Sequence, residues 1–184
     1  MFVAAWPDSE TKERLARLDL DGEKGLRPVG PDHWHVTLRF LGEVDEALVP
    51  RLSDALRTAA AAVSGSVQCH LGPATAWFTG VRVLQLPAAG LETLAAAVRE
   101  ATLPLVPATA EDEPPFNGHL TLARAKGRRR AAPVARALAG IPFDATFLVD
   151  HVDLVRSTPT PNGHLYATLA EAELRSGPEL DPDA

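Results

Sequence analysis

The chain has a single cysteine, Cys69, among 184 residues. An internal disulfide is therefore excluded, and nothing points to an oxidising compartment. No stretch approaches the roughly 20 apolar residues that a membrane span needs. The apolar opening "MFVAAWP" carries no basic leader, is too short for a signal-peptide core and runs straight into the charged "DSETKERL". A cytoplasmic protein with no membrane attachment is the expectation. Cations are not in excess either: 18 Lys and Arg stand against 24 Asp and Glu, a formal charge of −6. That balance argues against a protein that coats long stretches of nucleic acid, because such binding rests on many cation contacts to phosphates. It leaves room for recognising one phosphate at one strand end.

Some motifs are missing as well. There is no glycine-rich phosphate loop and no regular alternation of one strand with one long helix, which argues against a doubly wound nucleotide fold. There is no HExxH spacing and no cysteine cluster, so metal chemistry finds little support.

What is present is enough for one core: 46 % of residues are hydrophobic and 23 % charged. "FVAAWP" reads as a strand closed by Pro7, and "DSETKERLARL" as a helix with Leu15 and Leu18 at helical spacing. "HVTLRFLG" alternates and stops at Gly42, as a strand does. "EVDEALVPRLSDALRTAAAAV" is helical, with Pro50 in the first turn of the main helix and "DEAL" as its lead-in. "VQCHLG", "TAWFTG" and "VRVLQLP" predict an antiparallel meander. "GLETLAAAVREATL" predicts a further helix, "PLVPATAEDEPP" a surface loop and "FNGHLTLARA" another alternating strand. "AAPVARALAG" reads as a short helix. "FDATFLVDHVDLVRS" and "GHLYATLAEAEL" read as two long strands separated by the turn cluster "TPTPN". The fold class is α+β, with antiparallel sheets, helices outside and a duplicated layout. It forms one domain over 1–175, followed by an acidic, proline-rich tail at 176–184 expected to be disordered.

The sharpest signal is a repeat. His35 to Leu38 reads "HVTL" and His119 to Leu122 reads "HLTL". With six histidines and thirteen threonines in the chain, about 0.4 His-x-Thr triplets are expected by chance. Two occur, and both continue the same way. Strand side chains alternate, so His35 and Thr37 share one face while Val36, Leu38 and Phe40 point into a core; the same holds for His119 and Thr121 against Leu120 and Leu122. Two imidazoles and two hydroxyls facing one cleft suit a phosphate. One histidine is neutral and acts as base, the other protonated and acts as acid, and the hydroxyls hold the non-bridging oxygens. The spacing is the same in both motifs and does not say which histidine is which.

The two HxTL motifs, the Phe-Leu-Gly after the first and "HLTLAR" in the second resemble the RNA 2′,3′-cyclic phosphodiesterases of the 2H phosphoesterase superfamily. The likeness runs over nearly the whole chain apart from the tail. It implies a bilobal monomer with pseudo-twofold symmetry, one motif per lobe facing a central cleft, and neither a metal nor an organic cofactor. The implied partner is RNA with a 2′,3′-cyclic phosphate end, opened to a 2′-phosphate. The alternatives are 2′-5′ joining of RNA ends, action on another cyclic nucleotide phosphate, or a non-catalytic RNA-end binding module. Carried over by position, His35 donates a proton to the leaving 3′-oxygen, His119 activates water, and Thr37 and Thr121 hold phosphate oxygens.

Arg124 matches the arginine that closes the second motif. Alternation puts it on the face opposite His119, so the strand must end or bulge there if it is to reach the cleft. Arg39 falls by alternation on the face of His35 and Thr37. Both are expected to contact phosphate or RNA. The basic run "ARAKGRRR", with its loop at 126–130, is either a solvated turn or a contact for the next phosphates. His33, His70, His151 and His164 read as structural, Trp34 and Trp77 as packing more than base stacking, and Tyr166 as a residue without an assignable role.

Overall fold

Strand β1 (Phe2–Ala5) ends before the Trp6-Pro7 step, and Asp8 then caps helix α1 (Ser9–Ala16) by accepting from the Thr11 N–H at 2.7 Å. This computed structural model describes all residues except 19, 21–24, 64, 79, 81, 109–114, 128–133, 162 and 175–184. The tail expected at 176–184 lies outside the described residues.

Strand β2 (Leu26–Pro28), which has no periodic signal in the sequence, is followed by a 3-10 turn at Pro31–His33 and by β3 (Val36–Phe40). Glu46–Leu48 forms the lead-in turn to α2 (Val49–Ala62), with Pro50 in its first turn as expected. The expected meander is different. Strand β4 (Val67–Leu71) does not pair with β5 (Ala76–Phe78); both lie along β6 (Val83–Ala89), β4 through His70↔Ala89 and β5 through Ala76↔Gln85. Between them Thr75 is held by Leu138 and Ile141 rather than by a hairpin turn.

Helix α3 (Glu92–Thr102) and strand β7 (His119–Ala125) follow, then a short helical stretch at 134–138. The long strand expected from "FDATFLVDHVDLVRS" is two strands, β8 (Ala145–Val149) and β9 (His151–Thr160), broken at Asp150. Strand β8 pairs with β4 and β9 with β1, so the chain changes partners at that residue. The turn before β10 (Gly163–Glu173) is also shorter than "TPTPN", since β9 runs through Thr160. Pro159 is tolerated there because β1 pairs only with residues 153–155 of β9, leaving that stretch without a neighbour on the β1 side.

All pairs are antiparallel, in the order β10-β9-β1-β3-β7-β6-β4-β8, with β2 on β7 and β5 on β6. One residue separates β8 from β9 although they lie near opposite ends of this path, so the sheet curls back on itself. Helix α2 packs on β9, β10 and α3, α3 on β3, and α1 on β8. They bury one face of the sheet, through Val3, Ala5, Val36, Leu84, Leu120, Val152 and Leu154, all fully buried. The architecture is α+β, as expected. Among the described residues no helix is long and apolar enough to cross a membrane.

Candidate active site

Among the described residues, the two halves of the sheet join through one residue pair between β3 and β7, Val36↔Leu120. His35 precedes one member of the pair and His119 the other. Continuing the antiparallel register one step to each side sets His35 across from Thr121 and Thr37 across from His119. Residues directly opposite one another share a face. The four HxT side chains therefore project from the uncovered face, each half-buried, while Val36, Leu38, Leu120 and Leu122 are buried on the other.

Both imidazoles are anchored alike. The Nδ1–H of His35 donates to the His33 carbonyl at 2.7 Å, and that of His119 to the Asn117 carbonyl at 2.9 Å. A carbonyl only accepts, so Nδ1 carries the proton and Nε2 is the nitrogen left for chemistry. Each ring also stacks on a phenylalanine. Phe2 lies 4.9 Å from His35 and Phe78 lies 5.5 Å from His119, both with 24° between the planes. Gly118 makes the second anchor possible: a Cβ there would meet the Ala88 carbonyl oxygen at 2.2 Å, so β7 could not lie this close to β6 just before His119.

The surroundings of the two rings differ. Beneath His35 lies a small apolar layer of Phe2, Ala4 and Val155, with Trp6 and Tyr166 packed against it. The Trp6 and Tyr166 rings stand 5.2 Å and 5.5 Å from His35. Burial pulls the His35 pKa down to about 4; the His33 carbonyl opposes that shift, and the charges of His33, Arg124 and His119 add to it.

Arg124 reaches the cleft by a bulge. Strand β7 pairs Ala123 with Leu84 but Thr121 with Gln85, so Leu122 is an extra residue. Leu122 and Ala123 are both buried, and Arg124 returns to the face of His119 and Thr121. Its charge acts on His35 and also on Tyr166. Arg27 on β2 pairs directly with Arg124, so two exposed guanidinium groups share this face.

Strand β3 carries the same device with the opposite result. Val3 pairs with Arg39 and Ala4 with Thr37, which leaves Leu38 as the extra residue. Arg39 is consequently 2 % exposed on the helix side, donating to Thr102 Oγ1 at 2.6 Å and to the Val106 carbonyl at 2.8 Å. Phe40 emerges instead, 71 % exposed. Alternation places Arg39 in the cleft and Phe40 in the core; one extra residue reverses both. The counterpart of Arg124 in the first half is Phe40.

Trp34 is buried, and Trp77 packs on the core and donates to the Ala135 carbonyl at 2.8 Å. His33 meets the Tyr166 ring edge-on at 4.6 Å, His70 meets Asp144 and His164 meets Ser157. Within the basic run, the Lys126 N–H donates to the Gly25 carbonyl at 2.7 Å, and 128–130 lie outside the described residues. Sequence reasoning missed Phe2, Trp6, Arg27, Phe78 and Tyr166. Phe2 and Trp6 occupy the alternate positions of "FVAAWP", so a signal for their face existed; Arg27 had none. A cavity of about 570 Å³ shares Trp6 and Tyr166 with the cleft but neither HxT histidine, so the paired motifs mark the site and the cavity adjoins it.

The family model of the 2′-5′ RNA ligase superfamily matches residues 7–160. An RNA 2′,3′-cyclic phosphodiesterase of Thermus thermophilus is 31 % identical over 190 residues, covering 95 % of this chain and 90 % of its own. One of Archaeoglobus fulgidus is 27 % identical over 184 residues, covering 92 % and 97 %. The crystal structure of TT0787 from T. thermophilus is similar with a TM-score of 0.80 and 28 % identity, over 95 % of this chain and 97 % of that one. A match that runs through both histidine strands and most of the sheet is more than shared topology: the chain belongs to the 2′-5′ RNA ligase superfamily.

Proposed function

We propose that the protein opens 2′,3′-cyclic phosphates at RNA ends to 2′-phosphomonoesters, without a metal, using His119 as base and His35 as acid. The observation that carries this reading is the pair of Nδ1-anchored imidazoles set beside the one residue pair joining the half-sheets. In-line displacement at phosphorus needs a proton acceptor on the attacking side and a donor on the leaving side. Water gives its proton to Nε2 of His119 as its oxygen bonds to phosphorus. The bond from phosphorus to the 3′-oxygen breaks, and that oxygen takes the proton held on Nε2 of His35. The Thr37 and Thr121 hydroxyls donate to the non-bridging oxygens, where charge grows. Arg124, with Arg27 beside it, offers positive charge to the reacting or the neighbouring phosphate.

With its pKa near 4, His35 is neutral at pH 7 before substrate arrives. A phosphate anion in the cleft offsets the cations around it and raises its proton affinity, so substrate and proton bind together. The relatives named RNA 2′,3′-cyclic phosphodiesterases support the substrate class. We read the protein as a cytoplasmic monomer. The single cysteine accords with that compartment: Cys69 is buried, and burial pushes its thiol up to about 12.

The test is incubation of an RNA oligomer ending in a 2′,3′-cyclic phosphate with the protein in excess chelator, followed by identification of the phosphate isomer. A 2′-phosphate is expected, and His35→Ala and His119→Ala should each lower turnover by roughly 10²–10⁴-fold. Near-normal turnover by either variant, or dependence on an added metal, would overturn the reading.

A further inference from the structure

The uncovered face of β9 carries a second group of titratable side chains beyond the HxT pair. His151 and Asp153 alternate onto it, and Asp153 pairs across to Glu171 on β10. That pairing depends on another bulge: the register slips between Thr168 and Ala170, and without the extra Leu169 the residue facing Asp153 would be Ala170. One ligand atom from each of His151, Asp153 and Glu171 lies within 4.8 Å of the other two. We propose that these three side chains bind a divalent first-row transition cation at a site distinct from the HxT cleft.

Asp153 is the main reason. It is 6 % exposed, and its Oδ2 accepts from Trp6 Nε1 at 3.0 Å and from Thr168 Oγ1 at 3.1 Å. Its Oδ1 is buried and has no hydrogen-bond partner among the described residues. A carboxylate oxygen withdrawn from water without a donor or a cation is costly. Glu171 adds a second carboxylate directly across the ladder, where like charges destabilise a strand pair. A bound cation answers both deficits at once.

His151 completes a donor set. Its Nδ1–H donates to Asp150 Oδ1 at 2.6 Å, which leaves the Nε2 lone pair free. A carboxylate behind the imidazole and hydrogen-bond donors behind the ligating carboxylate are the arrangement by which proteins orient metal ligands. One imidazole and two carboxylates suit Zn²⁺ or Mn²⁺ at about 2.0–2.2 Å. Glu171 is exposed, so water can complete the coordination from that side. The adjoining cavity of about 570 Å³ is lined by Asp8, Asp32, Asp150 and Asp153 against Lys12, which makes the approach acidic. The ion takes no part in the proposed hydrolysis. It stands one hydrogen bond from Trp6, whose ring packs beside His35.

The test is calorimetric titration of the chelator-stripped, desalted full chain with Zn²⁺, beside His151→Ala and Glu171→Gln. The expected result is one equivalent bound with a Kd below about 10 μM, a higher thermal midpoint with Zn²⁺, and at least about tenfold weaker binding in each variant. Without metal, Glu171→Gln should melt at or above the wild-type midpoint, because a repulsion is gone, and should hydrolyse the cyclic phosphate at the wild-type rate in chelator. Absence of a saturable one-equivalent site overturns the proposal. Unchanged affinity in both variants also overturns it, since the ion then sits elsewhere, for instance at His70. Calorimetry reads the site whether or not the protein turns over RNA, so the two readings fail separately.

Discussion

Phe40 occupies in the first half of the sheet the place that Arg124 occupies in the second. Each lies five positions after its motif histidine, and each is brought to the cleft face by an extra leucine two positions earlier, Leu38 or Leu122. The residue just before each turns into the core. Ala123 needs nothing there, whereas Arg39 needs acceptors and finds them in Thr102 and Val106. The cleft thus has a ring at one end and guanidinium groups at the other.

Arg39 and Arg124 should therefore fail differently when truncated. Arg39→Ala leaves buried acceptors unpaired and opens a void, so chemical denaturation should show a loss of about 2–4 kcal/mol. Its kcat/KM at a temperature where the variant is folded should stay within about threefold of wild type. Arg124→Ala should keep wild-type stability and lose roughly 10–100-fold in kcat/KM. A stable but inactive Arg39→Ala would return that residue to the substrate.

The pH dependence follows from His35. Its pKa in the fold is about 4, below the ordinary 6.5, so the unfolded chain takes up the proton first. The stability it contributes is complete above pH 6.5 and is lost as pH falls from 6.5 through about 4, to the extent of about 3 kcal/mol. As the proton donor the same group must hold its proton to act, so its deprotonation limits kcat/KM as pH rises, along a limb expected from about pH 4 rather than 6.5. Replacing Trp6 by a smaller side chain should let water in and move that limb upward. A wild-type limb at 6.5 would show that burial does not govern the ring.

Gly118→Ala tests the anchoring of the second histidine. The added methyl meets the Ala88 carbonyl oxygen, which belongs to backbone and cannot swing away. Strand β7 must shift, and the Asn117 carbonyl that orients His119 shifts with it. The expected outcome is a kcat loss of about tenfold or more in protein that remains folded, with KM changed less. A variant with wild-type kcat would mean that the carbonyl anchor is dispensable.

The histidine strands were legible because two independent signals coincide in them, an alternating apolar face and a triplet seen twice. The bulges were not. "HVTLRF" is a faultless alternation as letters, and only the pairing with β1 and an acceptor on Thr102, 63 residues away, shows that Arg39 turns inward. The break at Asp150 does leave a trace in the letters: the core-facing positions are 145, 147 and 149 before it and 152 and 154 after it, so alternation loses its phase where the strand changes neighbours. His151 read as an isolated histidine because its companions are fixed by the β9–β10 register and by one further slip at Leu169. For Arg124 the face it had to reach required a bulge, and a bulge is there.

On the proposed mechanism, the seam at Val36 and Leu120 ties catalysis to the wholeness of the molecule. Because both histidines flank the one pair that joins the half-sheets, no partial opening there can spare the reacting geometry. Turnover then acts as a sentinel of integrity. On the proposed mechanism, loosening at Val36 and Leu120 costs turnover whether or not the helices and outer strands stay folded.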